Sequence, residues 1–208
     1  MKILAVAMAI SFTVALPVPA HAGGRDHGED VTPPPVPGNI QVEAGNRAFL
    51  VGHATGTQNY VCLPSATGFA WSLFTPQATL FNGHHKQLIT HFFSPNPFES
   101  GTPIRATWEH SRDTSTVWGA VVPNGSSTDA AFVAPGAIPW LLVQVVGRTE
   151  GSDLRPGVLT PTTFIQRLNT SGGSAPATGC AAATDVGKRA FVPYTADYFF
   201  YTAEGEDN

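Results

Sequence analysis

No stretch of this chain sustains the 3.6-residue apolar stripe of an amphipathic helix with caps at both ends. Short apolar runs alternate instead with turn formers, which 21 Gly and 18 Pro supply in abundance. Arg47 to His53, Gln58 to Leu63, Phe69 to Phe74 and Ala78 to Phe81 open the series, and Trp140 to Val146 reads as a buried strand. Asn82-Gly83 predicts a two-residue hairpin turn, since both residues tolerate the positive φ that a type I′ turn demands. Arg189 to Pro193 and Asp197 to Tyr201 close the set. Ala181 to Lys188 is the best helix candidate, and it is short. The pattern predicts an all-β single domain, a β-sandwich or barrel of about ten short strands with long loops. Pro95 to Pro103 and Thr170 to Thr178 are the expected long loops, where a rigid β scaffold carries its binding residues.

The first residues address the compartment. Lys2, the apolar run Ile3 to Val18 and the small residues of Ala20-His21-Ala22 form a secretory signal, with cleavage expected after Ala22. No later run is long and apolar enough to span a bilayer, because Ala137 to Val146 carries Pro139 and Gln144. The expected mature product is a soluble periplasmic or extracellular protein. Its divisions are a signal peptide over 1–22, a linker-like start over 23–37, a β domain over 38–202 and an acidic tail over 203–208. Without Lys2, acidic residues exceed basic ones further than in the full chain, whose net charge is −4. That balance gives no electrostatic reason to bind nucleic acid or an anionic membrane. Cys62 and Cys180 are the two cysteines, and an oxidising compartment makes one disulfide the simplest outcome. Two buried free thiols are the alternative.

Several phrases carry a family likeness. They are Gly56-Thr57-Gln58-Asn59-Tyr60-Val61-Cys62 followed by Trp71, then Thr107-Trp108, Asp113 to Trp118, Gln166 to Pro176, and Val192 to Tyr201. In this order they resemble a family of exported bacterial and fungal proteins catalogued as domain of unknown function 3455. The resemblance covers about residues 36–202 and implies export and a β fold, but no activity. The family's usual run from His through Gly-Pro to Thr-Trp is interrupted here, since Phe92 to Ala106 stand between His91 and Thr107-Trp108.

Two kinds of chemistry are open to these residues. Aromatic side chains can stack on sugar rings, which makes Trp108 and Trp118 the candidate ligand-binding pair and glycan a candidate ligand. Trp71 and Trp140 read as core. His and carboxylate side chains cluster as His84, His85, His91, Glu109, His110 and Asp113, the right types for a metal. His91 and His110 are the candidate ligands there. The spacing is against a simple site, since His85 and His91 on one straight strand would stand about 20 Å apart. No G-x-S-x-G elbow marks a serine nucleophile, and Ser174 merely follows Gly172-Gly173. Arg167 reads as a hydrogen-bond hub for loop carbonyls or Asp197. The leading expectation is a non-enzymatic exported domain that binds an envelope or extracellular ligand. The alternative is a metal-assisted hydrolase or oxidase using His91 with Glu109, His110 or Asp113.

Overall fold

A computed structural model describes residues 31–152 and 155–205. The expected signal peptide lies outside the described residues. Eight antiparallel strands follow one another round a closed barrel: β1 (Asn46–Ser65), β2 (Gly68–Phe81), β3 (Gln87–Pro95), β4 (Ile104–His110), β5 (Thr116–Ser127), β6 (Trp140–Arg148), β7 (Thr162–Gly172) and β8 (Arg189–Ala203). Each pairs with the next, and β8 returns to β1 over a register from Asn46↔Ala203 to Val61↔Arg189. Closure leaves no unpaired edge, and eight strands give an interior that side chains fill or that one small ligand occupies.

The all-β reading holds, with fewer and longer strands than expected. Arg47 to His53 and Gln58 to Leu63 are one strand, as are Phe69 to Phe74 and Ala78 to Phe81, and likewise Arg189 to Pro193 and Asp197 to Tyr201. Gly52 and Gly56 do not break β1. They sit where the wall is tight, and a Cβ at Gly56 would stand 2.1 Å from the Gln77 carbonyl oxygen. The β2–β3 connection is also longer than a two-residue turn. The Asn82 side chain accepts from the backbone N–H of His84 and Lys86, and the positive φ falls on His85. Local side-chain bonding of this kind competes with the tighter turn. The expected helix shrinks to a 3₁₀ turn, Ala183–Asp185.

Two apolar layers hold the barrel. Inside, Leu80, Ile89, Val117, Ile165 and Phe200 are wholly buried towards the end where β2 meets β3 and β8 finishes. Leu159, from the β6–β7 loop, plugs that end and is equally buried. Outside, Trp140, Leu142, Phe164 and Phe199 form a second cluster under the N-terminal segment, with Ile40 and Leu168 as its wholly buried members. Gln166 Nε2 donates to the Ile40 carbonyl at 2.6 Å, so the segment is tied as well as packed. Packing onto the barrel already begins at Val31 and Val36, within the stretch read as linker-like.

Cys62 and Cys180 form the expected disulfide, with Cα atoms 5.5 Å apart. It fastens the long β7–β8 connection to the end of β1. Backbone bonds from Cys62 to the Lys188 carbonyl and from Gly187 to the Cys62 carbonyl flank the bridge. Trp71 lies half-buried beneath the same connection, its Nε1 donating to the Thr178 carbonyl.

Candidate functional site

The end opposite the Leu159 plug stays open. A cavity of about 310 Å³ lies there inside the barrel. Register explains which side chains meet in it, because directly paired residues share a face. His91 pairs with Trp108, Arg167 with both Leu141 and Tyr198, and Gly56 with Tyr194. A middle tier of polar and aromatic groups therefore sits above the packed floor, and it includes Gln58, His91, Trp108, Arg167 and Tyr198. Above it, Leu73, Phe93, Ile104, Val121 and Leu141 make an apolar collar, three of them exposed at the mouth. The shape is a cup with a polar base and a greasy rim.

His91 is 4% exposed and stacks on Trp108, with ring centroids 4.4 Å apart and planes 11° apart. Tyr198 closes on both rings, 5.2 Å from His91 and 5.8 Å from Trp108. The His91 Nδ1 lies 2.8 Å from the Thr107 carbonyl, so Nδ1 carries the proton and donates. Burial drives the His91 imidazole down to about 3, against the pull of that carbonyl, and the charge of Arg167 lowers it further. It is neutral at ordinary pH. Burial also raises Tyr198 and Tyr194, whose hydroxyls lie 3.3 Å apart.

Arg167 supplies the cup's free charge. Its Nε and Nη2 donate to the Pro139 carbonyl at 3.1 and 2.8 Å, as the hub reading expected, and the guanidinium lies against the Tyr198 hydroxyl, whose pKa it lowers, but no carboxylate pairs with it among the described residues. Asp197 lies on the outer face, held by His53 and Asn169. Arg105, the other guanidinium at the cavity, is committed to Glu99 through two bonds of 2.7 Å, and that pairing carries the Glu99 carboxyl down to about 2. Two buried donors on side chains that line the cup make no well-formed hydrogen bond. They are Gln58 Nε2 and Trp108 Nε1, on side chains 2% and 1% exposed. A buried N–H without a partner costs about 1–3 kcal/mol; Trp140 Nε1 in the outer cluster is in the same position, and the Gln58 side chain lies against the Tyr194 hydroxyl, whose pKa it lowers.

The sequence-chosen residues are scattered differently. Trp108 lines the cup, whereas Trp118 lies on the outer wall, 8% exposed, with Nε1 donating to Ser94 Oγ and its ring against Phe98. They form no exposed aromatic platform, because cross-strand pairing puts Trp118 opposite Thr107, on the face away from Trp108. His91, Glu109 and the His110–Asp113 pair stand at three separate places. Glu109 pairs with Thr90 on the outer face, and His110 Nδ1 lies 2.9 Å from Asp113 Oδ1 at the closed end. Asp113 works structurally there. Although burial pushes its carboxyl up, the N–H of Val158 and the N–H and hydroxyl of Ser115 carry it down to about 2. Ser115 Oγ in turn accepts from Leu159 N, fixing the plug. Among the described residues no three His, Cys, Asp or Glu side chains gather to hold a metal ion. His84, His85 and Ser174 are exposed.

Gln58 and Arg167 were the members that sequence reasoning did not assign to a site. Their signal was polarity on the inward face of strands otherwise lined by Ala, Ile and Leu. The wide outer groove of about 650 Å³ over β1–β3 is lined largely by threonines and has no charged side chain.

A protein-family model described as Protein of unknown function (DUF3455) matches residues 43–202, which contain every strand residue named in the cup. No curated protein and no solved structure matches the chain.

Proposed function

We propose, from the premise that the chain belongs to the family described as Protein of unknown function (DUF3455), that it is an exported binding protein whose barrel holds one small molecule. The observation that carries this reading is the open cavity of about 310 Å³ inside the barrel, with Arg167, which no carboxylate pairs among the described residues, in its polar tier. Binding is favoured over turnover on acid–base grounds. A general base works best with a pKa near the operating pH, and His91, held near 3, is too weak a base. The raised tyrosines are correspondingly weak acids.

A glycan stacking on an exposed platform loses support, since Trp108 and Trp118 stand on opposite faces of the wall. Export fits the disulfide, which an oxidising compartment maintains. No helix among the described residues is long and apolar enough to cross a membrane.

Native mass spectrometry of the disulfide-bonded protein, mixed with small acids, alcohols, amines and monosaccharides, tests the reading. A one-to-one adduct released chemically unchanged is the expected result. Failure of every compound to bind, or its recovery as a new product, would overturn it.

A further inference from the structure

The cup's contents can be narrowed by its chemistry, and the narrowing rests on the binding reading above. We infer that the ligand is a small monocarboxylate with an apolar body: its carboxylate meets Arg167 in the polar tier beside Gln58 and Trp108, and its body fills the collar below the mouth.

Charge comes first. A guanidinium half-withdrawn from water without a counter-anion is costly, and its partners, the Pro139 carbonyl and the Tyr198 hydroxyl, are both neutral. The planar fork of an arginine matches a carboxylate bidentately. One uncommitted cation suits one negative charge, since a dianion would leave half its charge unmatched beside buried aromatic rings. Arg105 cannot share the work, because Glu99 holds it. His91 adds no positive charge, as its buried imidazole is neutral.

Hydrogen bonding agrees. The polar atoms left over in the tier, Gln58 Nε2 and Trp108 Nε1, are both donors, so the tier suits acceptor oxygens better than an ammonium or another donor. Their side chains enter from β1 and β4, while Arg167 enters from β7, so the donors surround the base of the cup instead of lining one wall.

The body follows from the collar. Leu73, Phe93, Ile104, Val121 and Leu141 offer apolar contact and no hydrogen bond, so a second polar end on the ligand would be desolvated without return. Size follows from volume. About 310 Å³ holds roughly ten waters at about 30 Å³ each, which suits a ligand of about ten to fifteen non-hydrogen atoms. Octanoate and phenylbutanoate have that size and chemistry.

Calorimetric titration of the disulfide-bonded protein with octanoate, phenylbutanoate, phenylbutanol and phenylbutylamine tests the inference. The acids should bind one-to-one, the alcohol at least about tenfold more weakly, and the amine not at all. Arg167→Gln should bring phenylbutanoate down to the level of the alcohol. Because Arg167 also ties Pro139, a second pair of variants is placed at exposed Ile104 on the rim. Ile104→Glu should weaken the acids and spare the alcohol, and Ile104→Lys should tighten the acids. Equal binding of acid and alcohol, with neither Arg167→Gln nor the Ile104 charges changing the acid, overturns the carboxylate and leaves a binding cup standing. A preference for the amine overturns it as well. If acid, alcohol and amine all fail to bind, the cup itself is refuted together with the inference.

Discussion

His91 and Trp108 lie face to face inside the barrel, with ring centroids 4.4 Å apart, although Phe92 to Thr107 separate them in the chain. The inserted residues lengthen a hairpin without displacing its partners. Phe93 pairs with Ala106 and Pro95 with Ile104, so the added length runs on towards the mouth and contributes part of the collar. Buried Asn96 fixes the bend, donating to Glu99 and to the Val146 carbonyl. The His–Trp relationship that looked broken in the sequence is therefore intact in space.

Burial of His91 makes stability depend on pH. His91 in the folded protein is held near 3, below the ordinary histidine value of about 6.5. The unfolded chain takes up a proton below about 6.5 while the folded one does not, so stability is complete above that pH and falls as acid is added, down to about 3. The slope in this window should approach about 1.4 kcal/mol per pH unit. Replacing His91 with Phe keeps a ring against Trp108 and removes the titration. Urea unfolding at pH 6.5 and 4.5 should show wild type losing about 2–3 kcal/mol more than His91→Phe. Equal losses would mean that His91 titrates freely in the folded state.

The disulfide closes a sequence separation of 118 residues. In the chain-entropy account a loop of this length stabilises by about 4–5 kcal/mol. Cys62→Ala with Cys180→Ala should lower the unfolding free energy by a large part of that amount and loosen the β7–β8 connection beside Trp71. Proteolysis should then cut first between residues 173 and 188. A double variant as stable and as resistant as wild type would contradict this account.

Gly119 is needed for room. A Cβ there would stand 2.3 Å from Val143 Cγ1 and 3.1 Å from Trp108 Cζ3. Gly119→Val should cost about 1–3 kcal/mol through overpacking and push the indole into the cup. Thermal unfolding checks the stability, and ligand titration checks the cup, whose affinity should fall with it. A neutral substitution would show that the wall has slack.

The N-terminal segment should behave as part of the fold. Ile40→Ala removes a wholly buried side chain from the outer cluster and should cost about 2–5 kcal/mol. Denaturant melts would reveal the loss, and an unchanged midpoint would mean that the segment merely rests on the barrel.

The β character of this chain was legible because it depends on local pattern. Short apolar runs, abundant turn formers and absent helical periodicity all act within a few residues. Strand number was less legible, since Gly52, Gly56 and Pro76 read as breaks but lie inside continuous barrel walls. Side-chain partnerships were least legible. Whether Trp108 faces inward and Trp118 outward follows from register, and the bulge between Trp118 and Gly119 shifts even that local count against β6. Arg167 reaches the cup only because β7 pairs Leu168 with Asp197 and Arg167 with Tyr198, a relationship spanning separate parts of the chain. Loneliness of charge is likewise a property of the folded barrel, invisible until the carboxylates are seen elsewhere.

The indole N–H resonances offer the most direct test of the binding cup. The chain has four tryptophans, and their Nε1–H signals can be assigned by single substitutions to Phe. Trp118 donates to Ser94 and Trp71 to Thr178, whereas the Trp108 and Trp140 donors are unpartnered, Trp108 on a side chain that lines the cup and Trp140 in the outer cluster. Titration with phenylbutanoate should move the Trp108 signal downfield to saturation at one equivalent bound and leave that of Trp118 in place. A saturable titration in which Trp108 stays still and Trp118 moves would put the ligand on the outer wall and contradict the account.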